Sequence, residues 1–303
     1  MKILLSYRVN YDNGKPVETY ARSFHYYLER LGHQVIGVGE GHKINTLEVG
    51  LPADLIVEIE CGRNKEGKFN YLVPGNKSSK FPPTMVWLID SHGQGELHSS
   101  IMDKYTHVFF AVFSKRDIFA KHPSAYFLPS ATDLRWFGRD NFTHITKQFD
   151  VGFHGSKKGL SRADKLKEIC QENNWKYDIR QVTNQYKHNI WPATGEAMSA
   201  CSLLFNRSQK HDINQRIFES MAVGRPLIND LDYSSGIRKL FKPERHFLSY
   251  DPVTFAGLKD QIKYCLNNPV KANKIAENAY QEILDKHLIS HRINTMLEII
   301  RLQ

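Results

Sequence analysis

Short apolar runs alternate along this chain with stretches whose apolar residues recur every three or four positions. The first kind suits a buried strand, and the second marks one face of a helix. Lys2–Ser6 reads as a strand. Tyr20, Phe24, Tyr27, Leu28 and Leu31 then line one helical face, closed by Gly32, and His33–Val38 gives the next strand. Ala53–Glu60, Thr84–Asp90, His107–Phe113 and Ala125–Leu128 continue the strand series, with Ser114 to Asp117 placed to cap the helix after His107–Phe113. Residues 62–80 are polar and rich in Gly and Lys, and read as a long loop.

The same rhythm restarts after the polar, unpatterned residues 138–148, which read as a linker. Phe149–His154 is a strand, followed by a helix capped by Ser161 with Ala163, Leu166, Ile169 and Cys170 on its buried face. Lys176–Arg180 is a strand and Gly195–Ser199 a short helix. Leu203–Phe205 is a buried strand ending at Asn206. Asp212, three residues before Gln215, reads as a capping box for a helix carrying Ile217, Phe218, Met221 and Ala222. Gly224 stops that helix and Pro226 leads into the strand Leu227–Ile228. Ile237–Phe241 and Phe255–Leu266 are helical, His246–Tyr250 is a strand, and Val270–Gln303 is almost wholly helical. Repeated strand–helix–strand order over 303 residues predicts an α/β protein of two doubly wound, Rossmann-like domains, 1–148 and 149–303.

Ligands in open α/β sheets bind at the carboxyl ends of strands and the amino ends of helices. Three places there carry candidate chemistry. Asp90 and His92 follow the strand Thr84–Asp90, with Gly93 and Gly95 leaving room beside them. Gly155, Ser156, Lys157, Lys158 and Arg162 follow the strand Phe149–His154, where a glycine admits close backbone approach and cations attract a phosphate. Asn206, His211, Asn214, Arg216 and Glu219 lie on the loop and helix after Phe205. The loop at residues 7–16 lacks G-x-G-x-x-G, so no dinucleotide cofactor is indicated, and Gly155–Arg162 is not a Walker A loop.

The run Arg216-Ile-Phe-Glu219-Ser-Met-Ala222-Val-Gly224-Arg-Pro226-Leu resembles the donor-site segment of group 1 glycosyltransferases, most closely the CgeB-like subgroup. Trp87 to Asp90, Pro129-Ser-Ala-Thr-Asp133 and His287-Leu-Ile-Ser-His-Arg292 are similar to segments of the same family. The resemblance implies the GT-B architecture, two Rossmann-like domains facing across a cleft, with the first receiving the acceptor and the terminal helix returning to it. It implies that Glu219 takes the ribose hydroxyls of a nucleotide sugar such as a UDP- or GDP-sugar, and that Gly155, Ser156 and Arg162 lie near its diphosphate. It implies transfer with retention. His211 stands where the family pattern has a glutamate, eight residues before Glu219, so the sugar contact differs here.

Composition narrows this reading. The chain has 41% hydrophobic and 24% charged residues, ordinary for a globular protein, and no apolar run of membrane-spanning length. Its start lacks the apolar core of a signal peptide, and its four cysteines are scattered without zinc spacing, which suggests reduced thiols in a cytoplasmic protein. Asp230-Leu-Asp232 has the spelling of a D-x-D metal motif but follows the Gly-Arg-Pro stop, so metal-independent chemistry is expected, with no cofactor beyond the sugar-nucleotide co-substrate. A net charge of +9 admits a nucleic-acid acceptor, such as a modified nucleobase of phage-type DNA, without requiring one. A silent binding protein of the same fold is the third reading.

Overall fold

The computed structural model describes residues 1–7, 11–12, 15–16, 19–39, 53–59, 82–89, 91–155, 157–181 and 190–301. The chain divides into two compact units, Met1–Pro129 with Arg292–Gln303, and Ser130–His291.

In the first unit β1 (Lys2–Ser6), β2 (Gln34–Val38), β3 (Leu55–Ile59), β4 (Thr84–Leu88), β5 (His107–Phe110) and β6 (Ala125–Phe127) form one sheet in the order β2-β1-β3-β4-β5-β6. Every pairing is parallel. Side chains alternate across the pleat. Leu4, Ile56, Val86, Leu88, Val108 and Phe110 join one core cluster with Ile101, Met102 and Phe119. Trp87 faces the other way, meeting Tyr20 and Phe24 of helix α1 (Tyr20–Arg30) at 5.4 and 5.2 Å between ring centroids, while its indole N–H donates to the Leu128 carbonyl at 2.9 Å. Thr19 caps α1 and Gly32 ends it at φ +81°. Helix α2 (Ser91–Ile101) follows β4. The expected cap over Ser114–Asp117 is not found: Phe113–Lys115 forms a 3₁₀ turn, and the single-turn α3 (Arg116–Phe119) has no side-chain cap.

In the second unit β7 (Phe149–Gly155), β8 (Tyr177–Gln181), β9 (Cys201–Asn206), β10 (Leu227–Asp230) and β11 (Leu248–Tyr250) run in the order β8-β7-β9-β10-β11, again all parallel. Residues 130–148 belong to this unit. Asp133 caps α4 (Leu134–Phe137), Phe142 is buried, and Arg139 pairs with Glu277. Asp164–Glu172 is α5. It starts after a 3₁₀ helix, Lys157–Ala163, that takes up Ser161, so Ala163 rather than Ser161 stands at its N-cap. The remaining helices are α6 (Ile190–Ser199), α7 (Gln215–Ala222), α8 (Ile237–Leu240), α9 (Leu258–Asn267), α10 (Pro269–Lys286) and α11 (Ile289–Arg301). On one sheet face Val151, Phe153, Leu203, Phe205, Ile228 and Leu248 pack with Leu166 and Ile169 of α5 and with Leu258 and Ile262 of α9. The other face carries α6 and α7. From Arg292 onward α11 belongs to the first unit, where the buried Arg292 donates Nε–H to the Pro129 carbonyl at 2.8 Å.

Candidate functional site

The first strand of the second unit, β7, has β8 on one side and β9 on the other, so successive connections leave it in opposite directions. Such a switch point opens a crevice at the carboxyl ends of the two central strands. Gly155 ends β7 there, and Asn206 ends β9. Arg162 ties the two together, its Nη1 donating to the Arg207 carbonyl at 2.8 Å.

Polar side chains fix the ends of β9, β10 and β11 relative to one another. Asn206 Nδ2 donates to Asn229 Oδ1 at 2.6 Å, and Asn229 Nδ2 to the Asp230 carbonyl at 2.6 Å. The Tyr250 hydroxyl donates to the Asn206 carbonyl at 3.1 Å. Ser208 gives both its backbone N–H and its hydroxyl to Asp230 Oδ1, each at 2.9 Å. Burial pushes the Asp230 carboxyl above the usual range despite these bonds.

Helix α7 begins at Gln215 with Asn214 at its N-cap, so the capping box expected from Asp212 does not form. Asn214 makes no side-chain cap either. Its amide donates instead to Asn206 Oδ1 at 3.2 Å, which joins the start of the helix to the end of β9. The helix stops at Gly224, φ +67°, with Gly224 N–H bonded to the Met221 carbonyl.

Six consecutive residues of α7, Ile217 to Ala222, are buried, and Glu219 is among them at 3% exposure. Arg216 Nη1 lies 2.6 Å from Glu219 Oε2. Neither atom has an aligned hydrogen bond among the described residues, so the contact is ionic and not directional. Burial raises the Glu219 carboxyl above its ordinary value against the pull of Arg216. Arg162, also half-buried, is lowered by burial and then by the nearby Arg216 and Arg207, with Asp230 opposing. Three guanidiniums thus share the crevice with two buried carboxylates that resist ionisation. That field favours an anion.

His211 stands apart from this group. It is exposed, adopts φ +61°, and its Nδ1 lies 2.6 Å from Asp232 Oδ2. Gly155 and Arg162 frame the crevice, and Lys157 opens the 3₁₀ helix beside it. Ser156 and Asp90 lie outside the described residues, while His92 falls in the first turn of α2.

Sequence reasoning did not single out Arg207, Asn229, Tyr250 or His154. All four stand at or next to the carboxyl end of a strand it had located, which is the signal that could have found them. His154, 1% exposed, donates Nε2–H to Asp178 Oδ2 at 2.9 Å. Cys201 completes a buried group with these two, all ligand atoms lying within 4.8 Å of one another. The group is a poor metal centre. Asp178 already holds Arg180 at 2.6 Å through each oxygen, and burial pushes the Cys201 thiol up to about 12.

Solved structures share the fold of this chain. An alpha-glucosyltransferase in complex with UDP and a 13-mer DNA containing a HMU base superposes with a TM-score of 0.66 at 12% identity, covering 99% of each chain. Sucrose-phosphate synthase from Thermosynechococcus elongatus gives 0.64 at 11% identity, covering 99% of this chain and 98% of that one. Anabaena HepE in complex with UDP and glucose gives 0.57 at 13% identity, with both chains fully covered. Likeness at this level shows the fold, the two-domain α/β GT-B fold. No curated protein matches the chain. The glycosyl transferase-like family matches residues 139–298, more than half of the chain and the whole of the crevice described above, and the chain belongs to that family.

Proposed function

We propose that the protein moves a sugar from a nucleoside-diphosphate sugar to an acceptor, as a group 1 glycosyltransferase of the CgeB-like kind. One observation carries this reading: a carboxylate buried on α7, Glu219, gathered with Arg216 and Arg162 at the switch point of the second sheet. A carboxylate kept from water binds hydroxyl donors strongly, which suits the vicinal diol of a ribose. Arg162, Arg216, the backbone at Gly155 and the residues Ser156 and Lys157 suit the diphosphate. Asn206, Asn214 and His211 are assigned to the sugar end of the donor, with His211 at its exposed edge.

The charge that develops on the leaving diphosphate is met by these guanidiniums and by the start of α7, so no divalent ion is required. Asp90 and His92, in the first unit, are assigned to the reacting end and to the acceptor. Retention of anomeric configuration follows from the same resemblance. UDP-bound HepE and the UDP-bound alpha-glucosyltransferase, both of this fold, support a UDP-sugar as the first donor to try.

Thermal unfolding with and without UDP or GDP tests the reading. A ligand bound only by the folded chain raises its stability by about 2.7 kcal/mol at one hundred times Kd. Protection by one of the two nucleotides, weakened in Glu219→Ala, is expected. Equal protection of wild type and variant counts against the ribose role. Release of free sugar from the donor without acceptor, lost in the same variant, separates an enzyme from a silent binder.

A DNA acceptor is a second reading, favoured by the net charge of +9 and by the full-length likeness to a DNA-bound glucosyltransferase. Retention on duplex DNA that falls steeply as salt rises supports it. Salt-independent passage refutes it.

A further inference from the structure

His154 is a buried polar group beside the crevice that the proposed reaction leaves unused. It precedes Gly155 at the end of β7, and its ring lies on the sheet face that carries α6 and α7, opposite the Val151 and Phe153 side. Asp178 on the neighbouring strand β8 holds Nε2 at 2.9 Å. Arg180 in turn holds Asp178, at 2.6 Å through Nε and through Nη2, so the carboxylate is ionised and fixed. Hydrogen bonds from His154 and Arg180 keep it below the usual carboxylate range even though burial acts to raise it. An ionised acceptor at Nε2 requires the proton there, which leaves Nδ1 as a lone pair. Nδ1 is buried and has no hydrogen-bond partner among the described residues. Burial keeps the ring neutral, and the Arg216 charge within reach adds to that effect, while Asp178 opposes it.

Other buried atoms of the same crevice also lack an aligned partner, among them Asn214 Oδ1, Arg216 Nη1 and Glu219 Oε2, although the last two touch at 2.6 Å. A native structure seldom keeps several such atoms in one crevice unless they find partners in another state. Resting on the reading of this crevice as a nucleotide-sugar site, we propose that His154 is a positioning residue. When Glu219 turns its carboxylate to the hydroxyls of a bound nucleotide, Arg216 passes its freed N–H to His154 Nδ1. The Asp178–His154 pair thereby holds the Arg216 guanidinium at a fixed height above the diphosphate. No bond is made or broken. The exchange is one of hydrogen-bond partners.

Imidazole ¹⁵N spectra of the full chain, titrated with UDP and then GDP, test the proposal. Before ligand, His154 should show a protonated Nε2 and a bare Nδ1. At saturation the Nδ1 resonance should move as a hydrogen-bond acceptor's does, and Arg216→Met should abolish the movement. His154→Asn places an amide oxygen where Nδ1 stands, whereas His154→Gln places an amide nitrogen where Nε2 stands. Loss of a hydrogen bond to a charged donor then predicts that His154→Gln weakens nucleotide binding about tenfold, and His154→Asn by less than about threefold. A proton on Nδ1, an unmoved Nδ1 in a protein whose nucleotide binding depends on Glu219, or equal losses in the two variants would overturn it. If neither nucleotide binds in a Glu219-dependent way, the site reading itself falls and takes this proposal with it.

Discussion

Replacing Glu219 with Gln should make the ligand-free protein more stable and the nucleotide-bound protein less so. The first half follows from burial. Arg216 at 2.6 Å supplies a gross attraction of about 6 kcal/mol at an effective dielectric near 20. The carboxyl is nevertheless displaced upward, so the loss of hydration outweighs that attraction. Sign follows directly: the folded state holds a proton that the unfolded chain has released, so Glu219 costs stability as pH rises through the ordinary carboxylate range toward the folded value. The neutral isostere removes this cost, so the ligand-free variant should melt at a higher temperature than the wild type at neutral pH. The second half follows from the proposed ribose contact. Losing hydrogen bonds to a charged acceptor costs about 1.5–3 kcal/mol of binding, so most of the 2.7 kcal/mol of protection seen at one hundred times Kd disappears. Scanning calorimetry of both proteins from pH 5 to 8, with and without UDP, reads both terms at once. The two melting curves should change order when ligand is added. A variant less stable without ligand, or equally protected by it, would refute the reasoning.

Three further outcomes can be checked separately. Cys170, Cys201 and Cys265 are buried, and burial pushes each thiol up to about 12, so a disulfide reagent at pH 8 should leave all three unmodified until the chain unfolds. Gly195→Ala places a methyl against the Phe142 ring and 2.8 Å from the Trp136 carbonyl oxygen. A denaturant titration should show a loss of about 1–3 kcal/mol. Asp178 contributes stability above the ordinary carboxylate range that is lost as pH falls through its lower folded value. Asp178→Asn should therefore cost about 2 kcal/mol at pH 7 and flatten the acid limb of the stability profile below about pH 4.

Much of the fold could be read from residue patterning because most strands here are short and centred on an apolar run. Thr84–Leu88 and Cys201–Asn206 are nearly buried from end to end, as in any parallel sheet covered on both faces. Helix starts were harder. Asp212 and Ser161 have the right side chains for capping, but an asparagine drawn to Asn206 and an intervening 3₁₀ turn moved the true starts to Gln215 and Asp164. The polarity of residues 138–148 suggested a linker, yet Phe142 is buried against Gly195, and Arg139 lies over the Tyr280 ring while pairing with Glu277. Those partners lie far along the chain, beyond the reach of any local pattern. The same holds for His154 and Asp178, whose pairing depends on β8 lying beside β7. Glu219 was legible because it interrupts an otherwise apolar helix between Arg216 and a Gly-Arg-Pro stop.

The spelling Asp230-Leu-Asp232 poses the question of a divalent ion most sharply, and its hydrogen bonds bear on the answer. Asp230 is buried, accepts both Ser208 donors at Oδ1, and is pushed toward its neutral form, whereas a hard cation needs ionised oxygens with free lone pairs. Asp232 caps the turn Tyr233–Ser235 by accepting the Ser234 N–H and hydroxyl at Oδ1, and its other oxygen lies 2.6 Å from His211. These bonds from Ser234 and His211 hold it below the usual range although partial burial acts to raise it. One carboxylate is thus drawn toward its neutral form and the other already committed, so the proposed reading leaves the negative diphosphate to Arg162 and Arg216. UDP protection in thermal unfolding should then be the same in excess EDTA as in millimolar magnesium, while Arg162→Met should weaken it by about 1.5–3 kcal/mol. If EDTA removed the protection and Arg162→Met left it whole, Asp230 and Asp232 would have to be rebuilt as ligands, and the crevice would need a cation where guanidiniums have been placed.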